Sequence, residues 1–137
     1  MRWFHVAGRC LGFVWALPNS VLGCLFLLPS WLGGGGVRWR QGALEIYGGL
    51  ARWFLERICG AEAMTLGHVI VGRSTAALDY CRSHEHVHIR QYCRWGPFFL
   101  PAYGLCSLWA WWRGQHPYYD NWFEKQAYAN SDPPYDI

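Results

Sequence analysis

Charge is scarce in this chain. Of 137 residues only 15% are charged, and Lys125 is the single lysine; an average soluble chain carries roughly 25%. The formal net charge of +3 is spread along the sequence, with no basic stripe of the kind that holds nucleic acid, so a nucleic-acid partner is not expected. The 6 cysteines (Cys10, Cys24, Cys59, Cys81, Cys93 and Cys106) form no C-x-x-C pair and no even spacing. That argues against a disulfide framework and for free thiols in a reducing or lipid environment. No internal repeat is present, and the length allows one domain beside an anchor.

Aromatic and apolar residues are abundant instead. Trp 10, Tyr 8 and Phe 7 exceed what so small a core requires, which points to a membrane interface, where amphipathic rings settle. Residues 10–37 carry no charge, between Arg2 and Arg9 on one side and Arg38 and Arg40 on the other. This run is long enough to span a bilayer, although Pro18-Asn19-Ser20 and Pro29 interrupt it. A signal peptide is the competing reading, but no small-x-small cleavage site precedes Gly33, so an uncleaved anchor is expected. Residues 1–36 thus read as a hydrophobic anchor ending in a flexible Gly33-Gly34-Gly35-Gly36 joint, and residues 37–137 as the domain. The excess of arginine after the run mildly favours the cytoplasmic side of the membrane for the domain.

Within the domain, alternation around Gln41-Gly42 predicts a hairpin of residues 37–40 and 43–47, and helical spacing predicts a helix over 50–59, closed by Gly60. Residues 64–71 read as one strand, with His68 on the face of Leu66 and Ile70. A helix follows over 76–94, capped by Ser74 or Thr75 and ended by Gly96-Pro97. Residues 95–112 form a second uncharged stretch, broken by Pro97 and Pro101. Residues 130–137, with Pro133-Pro134, are expected to be loose.

The 76–94 helix carries His84-Glu85-His86-Val87-His88, an H-E-x-x-H pattern. Residues four apart share a helix face, so His84 and His88 can offer two imidazoles to one metal ion. Glu85, next to the first ligand, can take a proton from a metal-activated water. Cys81, three residues before His84, lies on a similar face and is a conceivable further ligand, whereas His86 falls away from it and reads as exposed. Arg82, Arg90 and Arg94 read as turned to solvent or lipid headgroups.

These motifs resemble the zincin metallopeptidases of the gluzincin type. More narrowly, the chain is similar to small bacterial membrane-associated proteins carrying H-E-x-x-H-x-x-Q. The resemblance rests on Thr65-Leu66-Gly67-His68-Val69, on residues 84–95 with Gln91, and on residues 120–128. It implies a zinc ion, a peptide or protein substrate, and a third ligand from a later helix. Glu124, in Phe123-Glu124-Lys125-Gln126-Ala127, matches the E-x-x-A of that second motif, with Tyr128 where an Asp often follows. The pattern H-E-x-x-H-x-x-G-x-x-H is absent. His68, His116, Tyr118 and Tyr119 are candidates for stabilising an oxyanion or supporting the ligands.

Glu124 constrains topology. If residues 95–112 crossed a bilayer, Glu124 would emerge on the side opposite His84 and His88, so the stretch is expected to fold back at its prolines. The expected fold is α+β and helix-rich: a minimal zincin-like domain with a short hairpin or sheet, the H-E-x-x-H helix and a later Glu-bearing helix, behind an N-terminal membrane anchor. The expected function is that of a membrane-anchored zinc metallopeptidase in a bacterial inner membrane. The alternatives are a zinc-stabilised adaptor or assembly protein without turnover, and an interface module that binds no metal.

Overall fold

A four-stranded sheet with helices gathered around it gives the chain an α+β, helix-rich architecture in the computed structural model, which describes residues 2–132. Of the tail expected to be loose over residues 130–137, Asn130 still belongs to the last helix, and residues 133–137 lie outside the described residues. The alternating residues around Gln41-Gly42 form a hairpin of β1 (Gly36–Arg40) and β2 (Ala43–Tyr47), paired antiparallel. Helix α3 (Gly49–Phe54) continues as a π-helical turn over Leu55–Cys59 and ends at the left-handed Gly60.

Residues 64–71 are not one strand. They split into β3 (Ala63–Leu66) and β4 (Val69–Gly72), an antiparallel pair joined through Gly67-His68. Gly67 has φ +64, and a Cβ there would strike Ser20 Oγ, so glycine alone satisfies both the turn and the neighbour. β4 then pairs parallel with β2, giving the order β1-β2-β4-β3 and leaving β3 at an edge.

The motif helix α4 (Thr75–Trp95) follows. Ser74 caps it, its Oγ accepting the Ala77 N–H at 3.1 Å, and Gly96 ends it. Its Leu78 and Ile89 bury against Ala43 and Ile70 of the sheet, at about 1.5–3 kcal/mol for each large side chain. A polar clamp fixes its rotation. Glu45, fully buried on β2, accepts Arg38 Nε at 2.7 Å and Arg82 Nε at 2.8 Å, and both arginines also reach Asp79 Oδ1. Arg82 therefore faces inward, correcting the expectation that it lies toward solvent or headgroups.

The proline-containing stretch folds back as expected. A 3₁₀ turn (Gly96–Phe98) leads into α5 (Phe99–Trp112), and α6 (Trp122–Asn130) returns to α4. Asn121 caps α6 through the Phe123 N–H and ties it to α5, donating from Nδ2 to Tyr103 O at 3.0 Å and to Ser107 Oγ at 2.8 Å. Leu105, Leu108, Trp109, Trp111 and Trp112 remain exposed on α5.

At the N-terminus, α1 (Arg2–Cys24) runs through Pro18, and the break falls at Leu25-Phe26, before α2 (Leu27–Leu32). Residues His5–Leu32 are long and apolar enough to cross a membrane, by length and composition. Yet α1 also docks on the domain. Asn19 Nδ2 donates to Gly96 O at 2.9 Å, and Ser20 Oγ accepts the His68 N–H at 2.9 Å, so the polar pair inside the apolar run is buried and bonded. The glycine run is no free joint either: a Cβ at Gly35 would strike the Tyr47 carbonyl, and Gly36 already belongs to β1.

Candidate metal centre

The four-residue spacing on α4 brings His84 and His88 side by side, with their Nε2 atoms 3.2 Å apart. From α6, Glu124 places Oε2 at 2.9 Å from His84 Nε2 and Oε1 at 3.4 Å from His88 Nε2. All three residues are buried, and together they could hold a metal ion. Tetrahedral zinc, with bonds of about 2.0–2.1 Å, sets its ligand atoms roughly 3.3 Å apart. Two imidazoles and a carboxylate already converged to that spacing fit such an ion.

Other side chains hold the ligands in place. Gln91, one turn after His88, accepts from His88 Nδ1 at 2.8 Å and donates to Phe123 O at 3.0 Å and Gln126 Oε1 at 2.8 Å. Its amide orientation follows from those two acceptors, so His88 Nδ1 carries a proton and Nε2 is the nitrogen left to face the ligand set. Tyr103 donates to Glu124 Oε1 at 2.6 Å, and the Tyr128 ring lies 4.4 Å from that of His84. Replacing Gln91 by Ala should weaken metal binding by about 10–100-fold, read by competition with a chromogenic chelator.

Glu85 sits beside the cluster rather than in it. Its Oε2 accepts the Thr65 hydroxyl at 2.6 Å, while Tyr92 OH donates to Thr65 O at 2.9 Å, which fastens β3 to α4 at this point. Two cavities meet at Glu85. One, of about 340 Å³, also takes in His88, Glu124, Tyr103 and Tyr118; the other, of about 470 Å³, takes in His84, His116, Tyr118 and Tyr119.

The other sequence candidates divide. Tyr118 borders both cavities, with its hydroxyl 3.1 Å from that of Tyr128. His116 is exposed, its Nδ1 accepting the N–H groups of Tyr118 and Tyr119. His68 is not at the centre. It sits in the β3–β4 turn rather than on a strand face, its Nε2 3.6 Å from Cys93 Sγ and its ring against Phe13. Cys81 packs against the sheet core, and burial pushes its thiol up to about 12. His86 is half-buried, not exposed.

Comparison of the chain with protein-family models, curated proteins and solved structures gives no match. The chemistry must therefore be argued from the site.

Sequence reasoning assigned no role to Thr65, Tyr103 or Gln91. Thr65 and Gln91 carried a signal only as part of the resemblance, Gln91 also through its three-residue spacing from His88, which shares a helix face.

Electrostatics couple the ligands. Burial opposes charge on His88, yet Glu124, with Glu85 and Gln91, outweighs it and raises the imidazole to about 9. Burial likewise opposes the Glu124 carboxylate, but hydrogen bonds from His84 and His88 hold it at about 2. In the metal-free protein the Glu124 contribution to stability is present above its ordinary 4.5 and lost as pH falls through 2. That of His88 is present in full below its ordinary 6.5 and lost as pH rises through 9, so the pair stabilises most between pH 4.5 and 6.5. A metal must displace the His88 proton. Affinity should therefore climb about tenfold per pH unit on its account up to about pH 9, rather than levelling near 6.5. Metal titrations between pH 6 and 10 check this.

Proposed function

We propose that the chain is a membrane-associated, zinc-dependent peptidase. The observation that carries this reading is Glu85. It is a buried carboxylate with no ion pair among the described residues, and it borders the same cavity as two of the three ligands. A purely structural metal site has no use for such a group.

Bound at His84, His88 and Glu124, zinc supplies Lewis-acid polarisation of a carbonyl and lowers the pKa of a coordinated water to about 7. Thr65 holds one oxygen of Glu85, and the carboxylate takes the proton of the attacking water. As the peptide C–N bond breaks, Glu85 returns that proton to the leaving amine. Water thus divides between the new carboxyl and amino termini. Tyr118, whose hydroxyl burial pushes well above its ordinary value, stays protonated and can donate to the developing oxyanion.

Edge strand β3 supports a peptide as substrate. Ladder alternation turns the Ala63 N–H and C=O away from β4, toward where an extended chain could add alongside the cavities. Met64, Phe99 and Leu100 give the smaller cavity an apolar wall suited to an apolar side chain. The apolar run His5–Leu32 and the exposed tryptophans of α5 support seating at a bilayer.

The test is cleavage of an unstructured peptide mixture by the purified full chain, read by mass spectrometry. New termini that vanish on chelation and return with zinc support the proposal; a zinc-loaded protein that cuts nothing in the mixture contradicts it.

A further inference from the structure

A third cavity, of about 650 Å³, opens on the other side of α4, where the N-terminal third of α1 crosses its C-terminal half. His5, Arg9, His68, His86, Arg90 and Arg94 line it, and no carboxylate does among the described residues. Arg9, Arg90 and Arg94 are exposed and make no ion pair among the described residues, whereas Arg38, Arg52, Arg73 and Arg82 each pair with an acid. Three permanent positive charges thus line one cavity with no paired acid among the described residues, and a bound anion would relieve their mutual repulsion.

The wall carries a second signal. His68 Nδ1 and His86 Nε2 are buried and have no hydrogen-bond partner among the described residues. His68 Nε2 lies 3.6 Å from Cys93 Sγ, which leaves Nδ1 as the ring nitrogen open to a ligand. Buried polar atoms are rarely left so unless a ligand or water completes them. Gly8 and Gly12 keep the α1 wall low, and nothing lies within 4 Å of a Cβ at Gly8.

We propose that this cavity binds a phosphate-bearing anion, with Arg9, Arg90 and Arg94 as its cationic contacts and His68 and His86 as hydrogen-bonding groups in its wall. Guanidinium groups match phosphate oxygens in geometry as well as charge. The cavity adjoins the start of the apolar run, where lipid headgroups would lie if α1 enters a bilayer, so both an anionic lipid and a free phosphate carry the required chemistry. The site is separate from the metal centre and does not depend on peptidase activity.

The experiment uses the ¹⁵N-labelled full chain in maltoside micelles, which contain no phosphate. Inorganic phosphate, phosphatidylglycerol and uncharged diacylglycerol are titrated in separately, and the amides of Gly8, Gly12 and Gly42 at the cavity are followed. Saturable shifts with phosphatidylglycerol alone identify a lipid headgroup, and shifts with both phosphate compounds identify the phosphate group itself. In either case Arg90→Gln with Arg94→Gln, both at exposed positions, should weaken binding about tenfold or more, with unchanged circular dichroism confirming the fold. The proposal is overturned if neither phosphate compound shifts these amides, if diacylglycerol shifts them equally, or if the double variant binds as the wild type does.

Discussion

Replacing Glu85 by Gln is expected to lower peptide turnover by about 10²–10⁴-fold while metal content stays at one equivalent. The amide has the volume of the carboxylate, and its carbonyl can still accept the Thr65 hydroxyl that Glu85 Oε2 accepts at 2.6 Å. Packing around this buried position should therefore survive. What disappears is the ability to accept the proton of the attacking water and hand it to the leaving amine. Glu85 lies outside the ligand set, whose donor atoms come from His84, His88 and Glu124, so zinc should be retained. Turnover and metal content measured on the same preparation separate the two effects. Unchanged cleavage at full metal content would rule out Glu85 as the base.

The second large effect concerns Glu124. Glu124→Ala removes the only anionic ligand and leaves Tyr103 OH, which donates to it at 2.6 Å, without its acceptor. A fully buried hydroxyl left unsatisfied costs about 1–3 kcal/mol, and the part-buried Tyr103 hydroxyl, which lines a cavity, should cost less. Loss of a direct ligand should weaken the metal by more than the roughly 100-fold upper range for an outer-shell partner. Without the carboxylate, only Glu85 and Gln91 still oppose burial at His88, whose pKa should drop from about 9. Glu124→Gln separates charge from shape: it should recover much of the thermal stability of the alanine variant but little of its metal affinity. Calorimetric metal titration and thermal unfolding of both variants check this. An affinity within threefold of wild type in either variant would remove Glu124 from the ligand set.

How far the sequence leads depends on the range of the interactions involved. The motif helix was legible because its determinants are local: Ser74 at the cap, four-residue spacing of His84 and His88, and Gly96-Pro97 at the end. Glu124 was legible only through a short resemblance, and the fold-back of residues 95–112 followed from requiring it to reach the histidines. The β3–β4 turn was hidden because the apolar pattern of residues 64–71 continues through Gly67-His68, and only Gly67, with φ +64, marks the reversal. The docking of α1 was hidden for a related reason. In a run that is long and apolar enough to cross a membrane, Asn19 and Ser20 read as interruptions, whereas they are bonded to Gly96 and His68 from far along the chain. The reach of Arg82 to Glu45, and the grips of Thr65 on Glu85 and Tyr103 on Glu124, are likewise side-chain contacts between distant segments. No local pattern encodes them, and they decide how the motif is held.

The ligand set is the claim on which the rest of the account stands, and elemental analysis of the purified full chain tests it most directly. One equivalent of zinc is predicted for the wild type, and none for a His84→Ala, His88→Ala double variant that remains folded by circular dichroism. A wild-type protein that takes up no metal from zinc-supplied medium, or a double variant that retains a full equivalent, would contradict the assignment of His84, His88 and Glu124 as a metal centre.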